Sequence, residues 1–253
     1  MMMPLLLHLE EYAVHNETNN QYETEERNDA AEYQNRLYRR VSQCGQNGQH
    51  HDTEDIVDKY EDKLGTYLVK LSGSDLSSRD SQSVAALLHI IGDFERITDH
   101  ARNLTDNAKE MKSKQIVFSE GARKEIKVIT DAVKEVLDLA VNAFKTQNME
   151  EALSVEPLEE VVDRLRTRLK NRHIKRLQQG NCTIELGFIF SDLLTNLERV
   201  SDHCSNIAVT LIQAEDESFD THEYINTMKN SGKAFDSRVE FYLNKYMLPA
   251  KES

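Results

Sequence analysis

The chain has 253 residues, 30% of them charged and 39% hydrophobic, with a formal net charge of −13. So acidic a chain repels nucleic-acid phosphates, which excludes DNA or RNA as a main partner and suits cations or basic surfaces. With 9 Gly, 3 Pro and no Trp among abundant Glu, Lys, Leu and Ala, it reads as an all-α protein long enough for a real core.

The first elements carry little pattern. Residues 1–50 form an irregular N-terminal region, polar from His15 to Asn28 and rich in Gly, Gln and His from Gly45 to His51. A short helix is expected over 30–41 from the four-residue spacing of Tyr33, Leu37 and Val41, with partial disorder around it. Met1 to Leu7 is apolar but broken by Pro4. It is too short to span a bilayer and lacks the basic start and cleavage site of a signal peptide. No other stretch could span, so the chain as it stands is expected to be soluble. Cys44, Cys182 and Cys204 form no Cys-x-x-Cys pair and read as reduced thiols of an intracellular protein.

From Thr53 the periodicity sharpens. Ile56, Tyr60, Leu64, Tyr67, Leu68 and Leu71 fall at three- and four-residue steps and predict an amphipathic helix ending in Ser72-Gly73-Ser74-Asp75. Ser81 or Ser83 is expected to cap a second helix through Val84, Leu87, Leu88, Ile91, Glu95 and Leu104 to about Met111. Ser119 caps a third, with Ile126, Ile129, Val133, Val136, Leu137, Ala140 and Phe144 on one side, broken at Gln147-Asn148. A fourth is expected from Pro157, at a first-turn position, to Gln179 before Gly180. Thr183 caps a fifth helix to about Ala214. An acidic loop at Asp216–Asp220 precedes a last helix over 221–247.

One pattern occurs twice. Asp93-Phe94-Glu95-Arg96-Ile97-Thr98-Asp99-His100-Ala101-Arg102-Asn103 returns as Asn196-Leu197-Glu198-Arg199-Val200-Ser201-Asp202-His203-Cys204-Ser205-Asn206, with Glu95 and Glu198 103 residues apart. A preceding Glu-x-x-x-Asp recurs as well, Glu54/Asp58 before the first copy and Glu159/Asp163 before the second. Each unit thus supplies two helices, and each helix one Glu-x-x-x-Asp, whose acids share a helix face. At about 100° per residue, Glu95 and Asp99 lie roughly 20° on either side of Leu88, so the acids fall on the stripe expected to be buried. Buried like charges need compensation. Arg96 and Arg199 are adjacent to the Glu and point away. A divalent cation between two helices is the more economical counter-charge.

The candidate metal ligands are Glu54, Asp58, Glu95 and Asp99 in one cluster, and Glu159, Asp163, Glu198 and Asp202 in the other. Asp62, Asn103 and Asn206 are second-rank. All-oxygen donors favour Mg, Mn or Fe, with Zn also compatible. His100 and His203 point off the acidic face and read as packing or hydrogen-bonding groups. The basic run Arg164–Arg176 reads mainly as helix-end charge leaning on the core, with an anionic partner as the lesser reading.

The segments at 94–104 and 197–207, with Tyr60-Glu61-Asp62-Lys63-Leu64-Gly65 and the tail from His222 to Pro249, resemble PhoU-type phosphate-uptake regulators. They are most similar to the cytosolic PhoU-like domain of bacterial sodium/phosphate cotransporters, over about residues 53–250. The resemblance implies two pseudo-symmetric three-helix bundles of antiparallel helices with a C-terminal helix, and mono- or multinuclear metal clusters on the carboxylate motifs. It implies no catalysis, but control of phosphate transport and phosphate-responsive signalling. It places the protein in the cytoplasm, at the inner membrane face through a transporter. The partner would be a phosphate transporter membrane domain or a phosphate-signalling protein, and a homo-oligomer is compatible. The expected units are an N-terminal region 1–50, a first repeat 51–112, a second repeat 113–215, and a C-terminal helix and tail 216–253. Residues 12–48 depart from the family's long first helix. Two rivals stand beside this reading: a carboxylate-bridged metalloenzyme, for which no Glu-x-x-His is present, and a metal-free structural interaction bundle.

Overall fold

The computed structural model describes residues 50–215 and 233–250, with side chains over 57–214 and 234–250. Among the described residues there are six helices and no strand: α1 (His50–Ser72), α2 (Ser78–Ser113), α3 (Glu120–Thr146), α4 (Met149–Gln178), α5 (Ile184–Glu215) and α6 (Lys233–Lys245). The helix expected over 30–41, the acidic loop and the first part of the last helix lie outside them.

Side-chain caps set most of the boundaries. Ser119 accepts from the Ala122 amide and opens α3, and Thr183 accepts from the Leu186 amide and opens α5, as their sequences predict. Two starts differ. Helix α2 begins earlier, because Ser77 rather than Ser81 or Ser83 accepts from the Asp80 amide. Helix α4 begins at Met149, where Asn148 accepts from the Glu150 and Glu151 amides. Pro157 therefore sits inside α4. Proline has no N–H to give the carbonyl of Leu153. The Arg238 guanidinium of α6 donates to that carbonyl instead, at 3.0 Å.

Helices α3, α4 and α5 pack together as one bundle, α1 and α2 as a pair, and α2 lies along α5. The core is deepest in the bundle, where Ile129, Val136, Val155, Leu158, Leu165, Leu169, Phe190, Ile207 and Leu211 are shut off from solvent. The α1–α2 pair buries Leu68, Val84, Leu87, Ile90 and Ile97, but leaves Tyr60 and Leu64 of the expected α1 stripe exposed.

Helix α6 and the tail are tied to the bundle at three further points. Lys245 pairs with Glu135 at 2.6 Å, the Tyr246 hydroxyl donates to the same carboxylate, and Arg172 donates to the Pro249 carbonyl at 2.8 Å. The basic run of α4 turns inward only in part, with Arg168, Lys170 and Lys175 exposed. Arg172 and Arg176 hold the two oxygens of buried Glu125 at 2.9 and 2.7 Å, Arg164 pairs with Glu160, and Arg166 with Glu198. No helix of the described residues is long and apolar enough to cross a membrane.

Candidate metal centre

The repeated motif meets itself where α2 lies antiparallel along α5. His203 Nδ1 donates to Asp93 at 2.9 Å, and Asn206 donates to the same Asp93 oxygen at 3.3 Å. In the reciprocal position His100 Nδ1 donates to Asn196 at 2.9 Å, and Asn103 to the same Asn196 oxygen at 3.3 Å. The two imidazoles stack between these pairs with centroids 5.7 Å apart. This is a pseudo-two-fold seam, and it assigns His100 and His203 the hydrogen-bonding role their sequence positions suggest. Asn103 and Asn206, second-rank metal ligands by sequence, spend their amide N–H groups on this seam. Both follow the His by three residues, so the face they share is the seam, not the acids.

The acids lie on the flanks. In the second unit, Glu159 and Asp163 of α4 face Asp202 of α5, and one carboxylate oxygen from each lies within 4.8 Å of the others. A cation at about 2.4 Å from two opposed oxygens spans about 4.8 Å, so this donor set fits a hard divalent ion. Glu198 is diverted. Its carboxylate, 14% exposed, sits 3.1 Å from the Arg166 guanidinium. Burial raises its pKa above the ordinary 4.5 and Arg166 opposes that, while the charges of Asp202 and Asp163 push it further up. Glu198 thus belongs to the same electrostatic cluster with a cation already beside it.

The first unit copies this in part. Burial, then the neighbouring Asp99 carboxylate with which it shares a hydrogen bond, raise the pKa of Glu95; Arg96 lowers it and the charge of Asp58 raises it. Asp58, Glu95 and Asp99 therefore share one field, but among the described residues they do not converge as closely as the second cluster. Glu54 lies outside the described side chains. Asp62 is exposed.

Glu95 does not sit as deep as the stripe argument predicts. The buried line of α2 runs through Leu87, Ile90 and Ile97, whereas Leu88 and Ile91 are only half-buried, so Glu95 and Asp99 stand at its edge. The arginines also differ from expectation. Arg96 curls back to its neighbour Glu95 at 3.5 Å, its long arm overcoming the angle between them, and Arg199 reaches Asp202, three residues on along the same face, at 3.4 Å. Sequence reasoning missed Arg166 and the Asp93/Asn196 pair. The signals were present: Arg166 follows Asp163 by three on the same face, and Asp93 and Asn196 head both copies of the repeat.

The PhoU domain matches residues 48–108 and 126–211, more than half of the chain, and the chain belongs to the PhoU domain family. It is 23% identical over 154 residues to a phosphate-specific transport system accessory protein PhoU homolog of Thermotoga maritima, covering 61% of this chain and 65% of that protein. A Clostridium acetobutylicum protein of the same description is 23% identical over 161 residues, 63% of this chain and 72% of that one. A Salmonella typhimurium protein whose name proposes inorganic phosphate export is 22% identical over 160 residues, 62% of this chain but 30% of its own length. The chain thus spans just under two thirds of the Thermotoga protein.

Proposed function

We propose, with that family membership as premise, that the chain is a metal-binding regulatory module of a phosphate transport system. Glu159, Asp163 and Asp202 would hold a divalent cation, Mg, Mn, Fe or Zn, with Glu198 joining when Arg166 yields. Asp58, Glu95 and Asp99, with Glu54, would form the second, weaker site. The ion would supply positive charge between α4 and α5 and fix how those helices sit against each other. The module would act in the cytoplasm on a phosphate transporter or a phosphate-signalling partner, as the names of its relatives suggest. The cotransporter-linked form of this role, at the inner membrane face, is part of the same reading. A binding role rather than catalysis belongs to the same reading, since two of the relatives are named as accessory proteins of a transport system.

The observation that carries the reading is the convergence of three carboxylate oxygens from two helices within 4.8 Å. Elemental analysis of the purified protein against a Glu159→Gln/Asp163→Asn/Asp202→Asn variant tests it. Stoichiometric metal in the first and its loss in the second are expected. One observation favours the metal-free interaction bundle: Arg166 and Arg199 already contact Glu198 and Asp202. On that alternative the variant would change stability and nothing else.

A further inference from the structure

One end of the α2–α5 seam carries a surface that neither carboxylate cluster uses. Ile184 and Phe188, one turn apart on α5, are each 74% exposed, and Val117 in the α2–α3 connector is 75% exposed. The connector is held against α5 by its next residue, Phe118, which meets the Phe190 ring at 5.6 Å. Scattered exposed apolar residues are ordinary, but bulky ones gathered beside a groove mark a contact surface. The groove, about 280 Å³, opens between α2 and α5 next to Phe188 and is walled by Glu110, Glu185 and Asp192.

The groove displays the chemistry it selects. Lys114 lies between Glu110 at 2.8 Å and Glu185 at 2.6 Å, an ammonium clasped by two exposed carboxylates. Asp192 adds a third acid, oriented by Asn107 at 2.8 Å. The walls therefore keep a surplus of negative charge next to an aromatic ring, a setting that favours a further guanidinium or ammonium.

The pseudo-symmetry separates this surface from structural necessity. The 103-residue offset that relates the two units carries Ile184, Glu185, Phe188 and Glu110 onto Ser81, Gln82, Ala85 and Gln213. None of these four equivalents is a bulky apolar or an acidic residue, so the packing duty common to both units does not require Ile184, Glu185, Phe188 or Glu110.

We propose that this surface docks a basic amphipathic helix of a partner protein. An Arg or Lys of that helix enters the groove at Glu110, Glu185 and Asp192, and its apolar face covers Ile184 and Phe188. The formal charge of −13 draws such a partner in at long range, and the groove sets where it stops. The inference rests on the chain being a regulatory binding module and is independent of the metal.

The test is fluorescence anisotropy of the full chain with a labelled synthetic helix carrying Leu along one face and Arg along the other. A Glu-for-Arg version of the peptide is the control. Phe188→Ala, and separately Glu110→Gln/Glu185→Gln, should each weaken binding tenfold or more, while Glu150→Gln/Glu151→Gln, the same charge change on α4, should alter it less than twofold. Helical circular dichroism should be retained, since the altered side chains are exposed. Equal loss in both double variants, binding of the acidic peptide, or no binding at all would overturn the proposal. So would concentration-dependent self-association abolished by Phe188→Ala, which would give the surface to a second copy of the chain. Glu159→Gln/Asp202→Asn should leave the peptide affinity unchanged, so failure of the metal reading and failure of the docking reading give different results.

Discussion

Asp93 and His203 meet across the seam between α2 and α5 at 2.9 Å, and Asn196 and His100 repeat that meeting at the same distance. The repeat is not perfect. Asn196 also donates to the Asp192 main-chain oxygen at 2.9 Å, a bond that a carboxylate could not make. That one amide-for-acid change orients Asn196 and leaves only one of the two imidazoles facing a carboxylate. His203→Ala should accordingly cost about 1–3 kcal/mol in denaturant unfolding, since it strips the imidazole from a half-buried charge. His100→Ala, facing a neutral amide, should cost less. Equal losses would show that the two halves of the seam are energetically alike.

The Glu125 triad predicts a larger loss. Its carboxylate is 5% exposed and holds both Arg172 and Arg176. Glu125→Ala leaves two guanidinium groups facing each other without their anion, at a cost of about 3–5 kcal/mol. Because Arg172 also holds the Pro249 carbonyl, protease cleavage near the C-terminus should quicken in the same variant. Unfolding and limited proteolysis both read this.

Pro157 and Arg238 should couple. The proline frees the Leu153 carbonyl and the guanidinium takes it. Arg238→Ala should cost about 0.5–1.5 kcal/mol in the natural chain and less in Pro157→Ala, where an N–H inside the helix can serve that carbonyl. A double-mutant cycle with no coupling would contradict the assignment.

The acids predict a pH dependence of definite sign. The folded-state pKa values of Glu95 and Glu198 are raised by burial and by neighbouring carboxylates. Between the ordinary value of 4.5 and the raised values, the native state binds more protons than the unfolded one. Stability of the metal-free protein should therefore rise as pH falls through that window. Glu198→Gln should flatten part of the slope, and thermal unfolding across pH 4–7 checks it. A metal, which needs the ionised acids, should bind more weakly over the same fall.

These residues show how far the sequence could be read. The helices, the duplication and the paired acids were legible because period and spacing are local properties. The start of α4 was misplaced because a proline was read as a helix opener, although Asn148 followed by Glu150 and Glu151 was already an N-terminal signal. The depth of Glu95 was overstated because the core of α2 runs along Leu87 and Ile90, a choice its partner helices make. Asn103 and Asn206 could be put to the seam only once α2 and α5 were seen side by side. The pairing of Arg166 with Glu198 likewise depends on how α4 lies against α5.

The central claim is that Glu159, Asp163 and Asp202 hold a divalent cation between α4 and α5. Thermal unfolding of chelator-treated protein, titrated with Mn or Mg, tests it most directly. The natural chain should gain about 2.7 kcal/mol at a hundredfold excess over Kd, with most of the gain lost in Glu159→Gln/Asp163→Asn/Asp202→Asn. The same gain in both proteins, or none in either, would contradict it.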